Sequence, residues 1–139
     1  PNNIIMHAKY KDFTEIISAI HEAGGIAVLS HPYLYDSLPL LPALIKEGLD
    51  GIEVGSPFAT DRQMKELYEI AKCNGLITTS GSDFRGLYTK SNFTLGDITA
   101  DDKEMDTLIT FNAKKKRREK KTQKAAQKEI IDRLRGTAK

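Results

Sequence analysis

Residues 24–33 read "GGIAVLSHPY". Four apolar residues run without alternation between a glycine pair and a Ser-His-Pro stop. A short continuous apolar run bounded by turn residues predicts a strand buried on both faces, the habit of a parallel sheet. The segment before it, "DFTEIISAIHEAGG" (12–25), places Phe13, Ile16, Ile17 and Ile20 on one helical face, with Asp12 or Thr14 as N-cap and Gly24 or Gly25 as stop. The segments after it repeat the alternation. A helix is predicted in "LPALIKEG" (41–48), a strand in "DGIEVGSP" (50–57), a helix in "TDRQMKELYEIAKCNG" (60–75) and a strand in "LITTS" (76–80). In the second of these helices Met64, Leu67, Tyr68 and Ala71 are expected to face inward. The order αβαβαβ predicts an α/β fold, a parallel sheet covered by helices. In "TLGDITADDKEMDTLITF" (94–111) a loop leads to a helix starting near Thr99, with Asp102 in the capping-box position.

The chain has 139 residues, enough for one domain with a core. Its single cysteine, Cys73, excludes an internal disulfide framework and points to a reducing, cytoplasmic setting. No apolar run approaches the roughly 18 residues that span a bilayer, so no membrane role is expected. The net charge of +2 conceals an asymmetry. Residues 113–139 hold 12 Lys/Arg and 3 Asp/Glu, whereas residues 1–112 hold 9 and 16. The expected organisation is an α/β module over 1–112 and a basic helical tail over 113–139. "KKKRREKK" (114–121) suits contact with the phosphates of RNA or DNA; a solvated, partly helical extension is the plain alternative. The tail has no aromatic residue for base stacking, so such binding would be weakly sequence-selective. Ala126, Ile130, Ile131 and Leu134 form a small apolar stripe, read as a docking or dimer face.

His31 follows the first predicted strand, Glu53 lies in the second, and Asp83 follows the third. The carboxyl ends of parallel strands share one rim, and that rim carries the chemistry of such folds. One imidazole and two carboxylates converging there make a ligand set for a divalent cation, with zinc, manganese or iron better suited than calcium. Each residue also has a structural reading: His31 bonded to a backbone carbonyl, Glu53 paired with a lysine, Asp83 closing an Asx turn. His21 reads as a solvated helix residue, and His7 stands isolated.

The stretches "AIHEAGGIAVLSHPY" (19–33), "LIKEGLDGIEV" (44–54) and "CNGLITTSGSDFRG" (73–86) occur in an order and spacing that resembles the C-terminal half of the PHP superfamily. This is the polymerase and histidinol phosphatase superfamily of metal-dependent phosphoesterases. The resemblance implies a distorted seven-stranded β/α barrel, of which about three βα units are present here, and up to three bound metal ions. It makes His31 and Asp83 metal ligands and Glu53 a weaker candidate. It implies hydrolysis of a phosphoester of a nucleotide or oligonucleotide. Two departures are visible. The opening His-x-His motif of the N-terminal half is not found, so metal binding is expected to be weak or absent, and the open barrel edges are expected to be covered by a partner chain supplying the missing half, a second copy, or a rearrangement of the later segments. Arg85 stands where the family usually has histidine, and a guanidinium cannot ligate metal. Three roles are open to Arg85: pairing with Asp83 or Glu53 in place of a metal charge, which is favoured, holding a substrate phosphate, or lying as a plain surface arginine. The alternative to an enzyme is a non-catalytic module whose tail binds nucleic acid or protein.

Overall fold

The computed structural model describes residues 10–86 and 93–136, and His7 lies outside them. Helix α1 spans Phe13–Glu22, and its N-cap is Asp12, whose carboxylate accepts the Thr14 N–H at 2.9 Å and the Thr14 hydroxyl at 2.7 Å. Gly24, at φ 74°, turns the chain beyond its end. Ile17 is buried, and Phe13 and Ile20 pack against the core. Ile16 departs from the expected face and is 45% exposed.

Strand β1 is Val28–Leu29, β2 is Gly51–Gly55 and β3 is Ile77–Ser80. They pair in parallel in the order β1-β2-β3, so the expected α/β architecture with three parallel strands is the one found. A single 3-10 turn, Leu38–Leu40, leads into α2, Leu41–Lys46, between the first two strands. Helix α3, Asp61–Asn74, connects the second and third. It begins with a capping box in which the Thr60 and Gln63 side chains each accept the other's backbone N–H, and ends on Gly75 at φ 66°. Leu67 and Ala71 face the sheet. Tyr68 does not, contrary to expectation: one residue on from Leu67, it is rotated about 100° round the helix and is 44% exposed.

The core gathers Ile17, Ala27, Leu41, Leu44, Ile52, Leu67 and their neighbours between the sheet and the helices. Ile52, on the central strand, has no exposed surface, and burying such a side chain stabilises by roughly 1.5–3 kcal/mol. Gly51 is required by close packing. A Cβ there would lie 2.5 Å from Ile77 Cγ1 and 2.9 Å from the Ile77 carbonyl oxygen.

Helix α4 runs unbroken over Asp102–Gly136. It starts three residues later than expected, because the Asp101 carboxylate accepts the Glu104 N–H at 2.7 Å and caps the helix there. The change of charge near residue 112 coincides with no break in the helix. The first turns of α4 enclose a cavity of about 530 Å³ with α3 and β3, lined by Met64, Tyr68, Ile77 and Thr107 among others. Among the described residues no helix is long and apolar enough to cross a membrane.

Candidate functional site

Strand β1 stops after two residues because its next polar groups are diverted. The His31 backbone N–H donates to Oε2 of Glu53 at 2.8 Å rather than continuing the strand ladder, and the Ser30 hydroxyl donates to the same oxygen at 2.8 Å. The His31 ring folds onto the same oxygen, with Nδ1 at 2.9 Å. This posture needs a left-handed backbone, and His31 has φ 49°. Histidine and aspartate tolerate that region better than most residues, at a local cost that the surroundings must offset. A register irregularity in the β2–β3 pairing between Glu53 and Gly55 accompanies the aim of Glu53 at the rim.

Asp83 arrives from the third strand, also left-handed at φ 47°. Its Oδ1 stands 3.7 Å from His31 Nε2. The structure therefore brings His31, Glu53 and Asp83 together, with the imidazole between the two carboxylates. Arg85 closes the outer side: its Nη2 lies 3.0 Å from Asp83 Oδ2, and its Nε donates to Oδ1 at 3.4 Å. The Arg85 side chain is 59% exposed against 18% for Asp83, so the pair is screened on one side only.

A carboxylate only accepts, so the Glu53 contact assigns the proton of the neutral ring to Nδ1 and leaves the lone pair on Nε2, facing Asp83. The Nε2 to Oδ1 gap is too long for a hydrogen bond. Two donors on one ion, each about 2.0–2.2 Å from it, can stand that far apart. The residues present therefore fit two ligands of a divalent cation, with Glu53 behind the ring. Among the described residues no group of three or more His, Cys, Asp or Glu side chains is placed to hold a metal ion. Residues that the sequence reading did not single out complete the site. Ser56, buried, has its hydroxyl 3.4 Å from Nδ1, and the Phe58 ring meets the His31 ring edge-on at 5.3 Å. Their signal lay in position alone, directly after β2.

A second polar cluster sits at the opposite ends of the strands. Asp50, just before β2, accepts the Ala27 N–H and contacts His21 Nε2, each at 2.8 Å, and Lys115 Nζ at 3.1 Å, all through Oδ2. Lys115 also donates to the Gly25 carbonyl at 2.8 Å. His21 is thus a partner of Asp50 and not the solvated residue expected. An isolated reading of α1 could not find this, since its partner lies 29 residues away.

A parallel α/β sheet that carries an imidazole and two carboxylates near its carboxyl rim defines an α/β module with a candidate metal-assisted site. No family model matches the chain. A phosphoribosyl 1,2-cyclic phosphate 1,2-diphosphodiesterase of Eggerthella lenta is 39% identical over 79 residues, which are 57% of this chain and 30% of that protein. A crystal structure of a protein assigned as a metal-dependent phosphoesterase, from Bifidobacterium adolescentis, superposes with a TM-score of 0.65 and 29% identity, over 78% of this chain and 40% of the other. An amidohydrolase from Chromobacterium violaceum shares the fold, with a TM-score of 0.55 and 24% identity over 69% and 34% of the two chains. The chain spans less than half the length of each of these relatives. With the three motifs in order on this fold, the chain is similar to part of PHP-type phosphoesterases.

Proposed function

We propose that this chain contributes the carboxyl-rim residues of a metal-dependent phosphoesterase centre of the PHP type. The observation that carries the reading is the convergence of His31 from the turn after β1, Glu53 from within β2 and Asp83 from the turn after β3. In this reading His31 Nε2 and an Asp83 oxygen hold one divalent ion, manganese, zinc or iron. When bound, such an ion stabilises the charge that develops on phosphoryl oxygens. Glu53 keeps the proton on Nδ1 and fixes the ring plane, a positioning role that strengthens histidine as a ligand. Arg85, at the exposed edge of the same carboxylate, presents a planar fork to an incoming phosphate and orients it. The Phe58 ring packs edge-on against the imidazole and supports its orientation.

The substrate class proposed is a phosphoester on a sugar, as in a nucleotide or oligonucleotide. The Eggerthella relative, named for a cyclic phosphodiester of a phosphoribosyl group, supports it. The test is hydrolysis of bis(p-nitrophenyl) phosphate by the chain in Mn²⁺, beside Asp83→Ala and Arg85→Gln. Turnover that Asp83→Ala abolishes and Arg85→Gln slows chiefly through KM supports the reading. Turnover unchanged in Asp83→Ala, or none in the wild type, contradicts it.

A further inference from the structure

The basic part of α4 has no place in the site just described, and its geometry is unusual. Ile98, in the segment before α4, lies beside Gly55 at the carboxyl end of β2, within 3.3 Å of where a Cβ would stand. Lys115, in the helix, is bonded to Gly25 and Asp50 at the amino ends of the strands. Between these points α4 crosses the sheet from the carboxyl rim to the opposite end. Its interior contains neither proline nor glycine, so nothing in the sequence kinks it. The remaining residues, 116–136, therefore continue past the body, away from His31 and Asp83, for about 30 Å.

Every described side chain from Lys116 to Arg135 is exposed. Lys116, Lys120, Lys124 and Lys128 recur every four residues, and Arg117 and Lys121 flank them. At 100° per residue these six cations fall within an arc of about 140°, one face of the helix. Like charges spaced i, i+4 repel and weaken a helix, so this row destabilises the arm until an anion of matching extent lies along it. Small anions neutralise single sites, whereas a polyanion neutralises the row. The most basic stretch, residues 114–121, has no apolar side chain to insert into a lipid surface, which disfavours a membrane. The arm also has no aromatic residue to stack on unpaired bases, which disfavours single strands.

We infer that the Lys116, Lys120, Lys124 and Lys128 face of α4 is a docking surface for the phosphate backbone of duplex nucleic acid. The Lys115–Asp50 contact aims it away from the candidate phosphoesterase site. The arm tethers the protein to nucleic acid and does not feed a strand into the site.

The experiment is fluorescence anisotropy of the full chain with a labelled 20-base-pair DNA duplex of arbitrary sequence between 50 and 200 mM salt. The variant carries Lys116→Gln, Lys120→Gln, Lys124→Gln and Lys128→Gln, all exposed, and leaves Lys115 in place. The wild type is expected to bind with an affinity that falls steeply with salt. The variant should lose about three to four units of the log–log slope, since each neutralised phosphate contributes roughly 0.9. Circular dichroism should show helix content rising when duplex is added to the wild type and not to the variant. No wild-type binding at 50 mM salt, equal binding by the variant, or tighter binding to phosphatidylserine vesicles than to the duplex overturns the inference. Light scattering on the free chain adds one more such outcome: self-association through the arm that the duplex does not reverse.

Discussion

One oxygen of Glu53 holds both the backbone and the ring of His31: Oε2 lies 2.8 Å from the His31 nitrogen and 2.9 Å from its Nδ1. The contact fixes the left-handed turn and the tautomer together, so the imidazole reaches the rim with Nε2 ready to accept a metal ion.

Glu53→Gln keeps the shape of the side chain and removes the charge that makes it a strong acceptor for three donors. Metal affinity at His31 is expected to fall by roughly 10–100-fold, as for other groups that orient a ligand. Titration with Mn²⁺ measures this, and ¹⁵N chemical shifts of the ring should show the Nδ1-protonated tautomer losing its dominance. A variant with wild-type affinity and wild-type ring shifts would show that Glu53 is a bystander.

Legibility in the sequence followed the range of the forces involved. The strands and helices were readable because apolar periodicity and caps are local, as in "GGIAVLSHPY" and the Asp12 cap of α1. The convergence of His31, Glu53 and Asp83 was also readable, because strand ends in a parallel sheet share a rim whatever the loops do. The arrangement within the site was not. That Glu53 stands behind the ring while Asp83 stands before it depends on two left-handed backbones, and no local pattern specifies them. The His21–Asp50–Lys115 cluster was invisible for a similar reason, since Lys115 meets Asp50 across 65 residues of chain.

Asp50→Ala tests that cluster. It leaves the Lys115 ammonium, the Ala27 N–H and His21 without their shared acceptor in a part-buried setting. The expected cost is roughly 1.5–3 kcal/mol, measured by urea unfolding. Hydrogen exchange should quicken around residues 112–118 before it does in β2. Uniform quickening across the sheet would mean that Asp50 supports the body and not the anchoring of α4.

Gly51→Ala drives a methyl group into Ile77, backbone oxygen included. A loss of roughly 1–3 kcal/mol is expected, because the strand has no room to retreat between its neighbours. Thermal unfolding of the variant measures it, and an unchanged Tm would show that the β2–β3 pairing is looser than described.

Tyr33, two residues from His31, has its hydroxyl enclosed, with the Glu66 carboxylate nearby but no hydrogen bond of good geometry among the described residues. Burial, with the Glu66 carboxylate adding to it, pushes the phenol up to about 12 from an ordinary 10.0. A folded-state value above the unfolded one contributes stability that is complete below pH 10 and is lost as pH rises toward 12. Tyr33→Phe is expected to unfold at an equal or higher temperature at pH 7, since an enclosed hydroxyl without a well-formed hydrogen bond is removed, and to lose less stability between pH 10 and 12. A clear loss of stability at pH 7 would reveal a hydrogen bond that the hydroxyl makes.

The most direct measurement of the central claim is calorimetric titration of Mn²⁺ into the full chain, its His31→Ala variant and its Arg85→His variant. The account predicts one weakly bound ion in the wild type, none in His31→Ala, and tighter binding in Arg85→His, where a ligand replaces the guanidinium now paired with Asp83 at 3.0 Å. An ion retained in His31→Ala, or no binding by the wild type at any concentration reached, would contradict it.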